Sequence, residues 1–108
     1  MIYELRHYVP NQGRRDQLRE RFATGTLALF RKANISVVDF WEAPHTGDIW
    51  YLVEWADEAA MKAGWDAFDI SNGWIALKDK TEKDGPLTTI SSIVLERPAY
   101  FQVPAKQR

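Results

Sequence analysis

Cysteine is absent from this 108-residue chain, which excludes disulfides, thiolate metal sites, cysteine nucleophiles and redox pairs. Charge of either sign is not in surplus: 14 Lys and Arg stand against 15 Asp and Glu. With no basic excess to neutralise phosphates, nucleic acid is not an expected partner. Only two histidines occur, His7 and His45, on separate elements and without a His-x-x-x-His pair, so neither a metal nor a cofactor is expected. A haem held by one of them would rest on a lone histidine. The sparse glycines form no Walker loop and no G-x-G-x-x-G, and the serines sit in no nucleophile elbow. No apolar run approaches the roughly 20 residues that cross a bilayer. No basic segment followed by an apolar run precedes the first strand, so a soluble, cytoplasmic protein is expected.

Aromatic residues are what the chain has in quantity: five Trp, four Tyr and five Phe. They serve cores, pockets and interfaces alike, and raise the chance of a cavity or a partner without choosing between them. The composition, 45% hydrophobic and 27% charged, is that of a globular domain with one core, so residues 1–108 read as a single domain with 98–108 as its tail.

The first ten residues alternate as a strand, with Tyr3, Leu5 and His7 on one face and Ile2, Glu4, Arg6 and Tyr8 on the other. The first face is expected to lie on the core. Residues 14–32 follow with Leu18, Phe22, Thr26, Leu29 and Phe30 at helical spacing. Gly25 is a weak point there, marking a close approach or a kink, and Asn34 suits the left-handed end of the helix. Residues 36–42 and 49–55 read as strands joined directly. Asp57 caps a helix carrying Met61, Trp65 and Phe68, which Ser71-Asn72-Gly73 divides from a shorter one. Thr88 to Glu96 is a fourth strand, stopped at Arg97-Pro98.

The order β-α-β-β-α-β predicts an α+β, ferredoxin-like fold: a four-stranded antiparallel sheet with helices on one face. The bare face, expected to carry Ile2, Tyr8, Val37, Trp41, Trp50 and Leu52, predicts a homodimer with sheet packed on sheet.

The opening Met1-Ile2-Tyr3-Glu4-Leu5-Arg6-His7-Tyr8, with Pro10 and Gly13, resembles the start of NIPSNAP-family domains. Leu27-Ala28-Leu29-Phe30, Val38-Asp39-Phe40-Trp41, Leu52-Val53-Glu54-Trp55, Trp65-Asp66-Ala67-Phe68 and Asn72-Gly73-Trp74 follow in the same order, and Ser91 to Pro98 also fits. The likeness covers about residues 1–98 and implies a dimeric α+β barrel. It names no catalytic residues. The wider barrel superfamily includes cofactor-independent monooxygenases, haem-degrading enzymes, dehydratases and proteins without known chemistry, so the fold does not decide function.

Three sets of residues carry the candidate chemistry. His7 is the best catalytic candidate, a general base at the mouth of a pocket between sheet and helices, against a strand-end histidine bonded to backbone. Tyr51, Trp55 and Trp65 join it as candidate binding residues for a hydrophobic or aromatic small molecule, against ordinary core packing. Gly25 and Gly64 are expected to leave room for that molecule. Glu4, Arg6 and Glu54 are expected to share a face and form, with Trp41, an ion-paired cluster at the dimer interface. The function these suggest is small-molecule binding by a dimeric protein. The alternatives are a cofactor-independent monooxygenase or isomerase, and a non-catalytic scaffold.

Overall fold

In the computed structural model, which describes residues 1–105, the strands β1 (Ile2–Pro10), β2 (Ser36–Glu42), β3 (Ile49–Trp55) and β4 (Thr88–Leu95) form one antiparallel sheet in the order β2-β3-β1-β4. Positions 106–108 of the expected tail lie outside the described residues. Helices α1 (Arg15–Arg21) and α2 (Leu27–Lys32), joined by a π turn over Phe22–Thr26, connect β1 to β2. Helices α3 (Glu58–Asp69) and α4 (Asn72–Thr81) connect β3 to β4. This is the ferredoxin-like α+β order that the sequence predicts, with the second helical stretch divided as expected.

Local signals set the boundaries. The Asp57 carboxylate accepts from the Ala60 N–H at 2.8 Å and fixes the start of α3. Asn34 takes φ 58° just after α2, and the Ile35 N–H reaches back to the Phe30 carbonyl at 2.9 Å, closing the helix in a left-handed turn. Between α3 and α4, the Ser71 hydroxyl donates to the Phe68 carbonyl at 2.6 Å.

The helices cover one face of the sheet, and the register says which side chains lie beneath them. Directly paired residues share a face, and the β1–β3 pairs are Ile2 with Trp55, Glu4 with Val53, Arg6 with Tyr51 and Tyr8 with Ile49. Ile49, Tyr51, Val53 and Trp55 are buried under the helices, so Ile2, Glu4, Arg6 and Tyr8 face the helices as well. The expected assignment of β1 is therefore inverted. Periodicity placed the charged positions outside, whereas Glu4 and Arg6 are buried or half-buried in a hydrogen-bonded network that satisfies them. In β2 a bulge between Val37 and Asp39 changes the parity. Val37 pairs with Val53 and Phe40 with Tyr51 on the helix side, while Trp41 pairs with Trp50 on the open side. Val38 is the extra residue and is exposed. Phe40 and Trp41 lie as expected; Val37 and Val38 do not.

Neither glycine leaves the room expected of it. A Cβ on Gly25, within the π turn, would meet Leu77 Cδ2 of α4 at 2.6 Å, so the interrupted helix and the close approach coincide there. A Cβ on Gly64 would strike the Trp55 ring, with Cη2 only 2.7 Å away. Leu77 is half-exposed and flexible, whereas Trp55 is buried and hydrogen-bonded. Gly64→Ala should therefore destabilise by about 1–3 kcal/mol, before the roughly 1 kcal/mol that alanine returns in helix propensity. Gly25→Ala should be close to neutral. Urea midpoints of the two variants test this, and equal midpoints would contradict the difference in packing.

Candidate functional site

The centre of the helix-covered face is a polar network built on β1. Glu4 is 3% exposed, and its Oε1 accepts from Trp55 Nε1 at 3.1 Å and from Trp65 Nε1 at 2.7 Å. Its Oε2 accepts from Arg6 Nη1 at 2.9 Å. Arg6 donates through Nε to the Tyr51 hydroxyl at 2.9 Å and through Nη2 to the Tyr8 hydroxyl at 3.1 Å. The two phenol oxygens are themselves 2.9 Å apart. The Trp65 ring lies over the guanidinium, 4.3 Å from Cζ to the ring centroid.

This arrangement holds its charges firmly. Burial works against the Arg6 charge, but Tyr51, Tyr8 and Glu4 outweigh it and its pKa is raised. Burial raises the Tyr51 phenol well above its usual range; Tyr8 adds to this and Arg6 opposes it. At neutral pH the network therefore presents a charged guanidinium and a neutral Tyr51 phenol, which are hydrogen-bond donors rather than bases.

Beside the network, a cleft of about 370 Å³ opens between the sheet and the helices. Arg6 and Tyr8 form part of its floor, and the contiguous rings of Trp65, Phe68 and Trp74 form one wall. Phe22, Arg21 and Thr26 come from α1 and the π turn, and Phe30 from α2. The Arg21 side chain is 3% exposed and donates through Nη1 to Glu82 at 2.7 Å and Thr81 at 3.1 Å. Its Cζ lies 5.1 Å from the Trp74 ring centroid. Among the described residues, Arg21 Nε and Thr26 Oγ1 are buried without a hydrogen-bond partner.

The sequence-derived candidates divide between two faces. Trp65 lines the cleft. Tyr51 and Trp55 do not: Tyr51 is buried beneath Arg6, and Trp55 anchors Glu4. His7 lies on the open face, where its ring stacks on Trp50 (3.6 Å between centroids, 6° between planes) and Nε2 is 2.7 Å from Asp48 Oδ2. The hydrogen bond with His7 holds the Asp48 carboxyl below the usual carboxylate range. A pocket shared by His7 and Tyr51 is thus corrected, because adjacent β1 positions point to opposite sides. Glu54 pairs with Tyr3 on the open side, which separates it from Glu4 and Arg6. Trp41 lies on the open face, as expected. His45 is exposed on the β2–β3 loop.

Arg21 was not anticipated as a site residue. Arg21 sits in the charged stretch Arg19-Glu20-Arg21, which reads as a solvated helix face. The available signal was its spacing, three residues after Leu18 and one before Phe22, which places it at the edge of the buried stripe.

The NIPSNAP family model matches residues 3–101. No curated protein matches. Among solved structures, an uncharacterised NIPSNAP domain protein from Burkholderia xenovorans superposes with a TM-score of 0.77 at 14% identity, over 95% of this chain and 100% of that one. A NIPSNAP family protein from Agrobacterium tumefaciens gives 0.78 at 11% identity, over 92% and 94%. A candidate antibiotic biosynthesis monooxygenase from Deinococcus radiodurans gives 0.61 at 12% identity, over 97% and 100%. At these identities the likeness concerns the fold.

Proposed function

The chain belongs to the NIPSNAP family, and from that premise we propose that it binds a small, flat, largely apolar molecule in the cleft between helices and sheet. The observation that carries this reading is the meeting, in one cleft, of aromatic rings with two arginines, each lying against an indole. Pockets for small molecules have this character, mostly apolar with a few placed donors. Binding is preferred to turnover because Arg6, at the cleft floor, stays charged and orients an oxygen-bearing ligand, while the Glu4 carboxylate is held by three donors rather than free as a general base. His7, the earlier candidate for that base, lies on the other face.

The test is a thermal-shift panel of flat aromatic compounds. A ligand at one hundred times its Kd should stabilise the protein by about 2.7 kcal/mol, a rise in Tm of roughly 12 °C for a domain of this size. A panel spanning acids, phenols, ketones and neutral hydrocarbons in which no compound raises Tm would refute the reading.

The same reading includes a homodimer through the open sheet face. Tyr3, Leu5, Trp50, Leu52, Trp41, Ile93 and Leu95 share that face by register. Trp41, Ile93 and Leu95 are exposed in the single chain. A continuous apolar surface of this kind is characteristic of association, and a second copy offers a self-complementary cover.

A further inference from the structure

We infer that the ligand of the cleft is an aryl carboxylate, its acid group held by Arg21 and Thr26. The inference rests on the cleft being the binding site and adds the ligand's chemical class. Arg21 carries five N–H donors. Nη1 serves Thr81 and Glu82, whereas Nε is buried with no partner among the described residues. Nε and Nη2 form one edge of the planar guanidinium, the edge that meets both oxygens of a carboxylate in a side-on fork. Thr26 Oγ1, also buried and unpartnered, lies in the same cleft and can donate to one of those oxygens. Buried donors without acceptors are costly, so two on one cleft favour a ligand that brings an acceptor to them.

The surroundings select an anion joined to a flat ring. Glu82 is already committed to Arg21 Nη1, and Asp69 lies exposed at the rim. Lys78 lines the same rim and forms no ion pair among the described residues. The wall of Trp65, Phe68 and Trp74, with ring centroids 5.3 and 6.0 Å apart between neighbours, offers an aromatic surface for the ring. Carboxylate and ring are therefore recognised by different parts of one cleft.

The experiment is calorimetric titration of the full chain at pH 7 with 2-naphthoate and with its neutral isostere 2-naphthamide. The carboxylate should bind at least tenfold more tightly, as a charge-assisted fork outweighs a neutral contact. Arg21→Lys keeps a charge but removes the fork, and should abolish most of that preference. Thr26→Val removes only the hydroxyl and should reduce the preference severalfold. If Arg21→Lys fails to fold, as judged by near-ultraviolet circular dichroism, Thr26→Val decides the matter alone. Equal binding of both compounds by the unmodified protein would overturn the carboxylate assignment and leave the cleft reading intact. A preference unchanged in the folded variants would likewise overturn it. Binding of neither compound would overturn the assignment, while the wider thermal-shift panel judges the cleft separately.

Discussion

Arg6→Ala should destabilise the fold by about 3–5 kcal/mol, the loss that follows when one partner of a buried ion pair is removed. The Glu4 carboxylate, 3% exposed, would keep its two indole donors but lose the cation it pairs with among the described residues. The Tyr8 and Tyr51 hydroxyls would lose a shared donor, and the Trp65 ring its stacked guanidinium. Combined with Glu4→Gln, the substitution should be strongly non-additive, with a coupling of about 0.5–3 kcal/mol. Combined with Glu54→Gln it should add to within about 0.5 kcal/mol, because Glu54 lies on the other face. Denaturation in urea of the single and double variants measures both couplings. A cost for Arg6→Ala below about 0.5 kcal/mol would assign Arg6 to the solvated surface and refute the network.

That network also explains where the sequence misleads. Element order, strand limits, the division between α3 and α4, the Asp57 cap and the Asn34 turn were all legible, because each has a local physical cause within a few residues. The faces of β3 were legible too, since Ile49, Tyr51, Val53 and Trp55 leave no polar position to bury. On β1 the same reasoning inverts the faces. Glu4 and Arg6 have no apolar character, and their burial depends on partners at positions 8, 51, 55 and 65, none of them adjacent in sequence. On β2 one bulged residue, Val38, shifts the parity of Val37 against Phe40, and no local signal announces it. The site was legible in part: Trp65 was named, but Arg21 reads as one more surface charge until Glu82, sixty-one residues away, is brought against it.

Ile93→Asp should convert a dimer into a monomer, while Val94→Asp, one residue further along β4, should leave the dimer intact. Ile93 pairs with Leu5 and so lies on the open face; Val94 pairs with Glu4 and so lies on the helix side. Both are exposed in the single chain, at 57% and 43%, so neither aspartate disturbs a packed core. On an isologous interface every substitution is made twice, and each buried, unpaired carboxylate costs several kcal/mol. Light scattering at micromolar concentration should give twice the 12.5 kDa protomer mass for the unmodified chain and for Val94→Asp, and the protomer mass for Ile93→Asp. A monomeric unmodified chain would refute the association. Dissociation by Val94→Asp alone would move it to the other side of the sheet.

The central claim is that the cleft beneath the helices, rather than the open sheet face, receives a small molecule. The most direct measurement is the set of five tryptophan indole N–H resonances in a nitrogen-15 correlation spectrum, followed during titration with 2-naphthoate. Trp65 and Trp74 line the cleft, whereas Trp41 and Trp50 lie on the open face. Trp55 sits behind Glu4, linked to the cleft through that carboxylate. Saturable shifts of Trp65 and Trp74, with Trp41 and Trp50 unmoved, are the predicted result. Shifts confined to Trp41 and Trp50 would place the ligand on the sheet face and contradict the account.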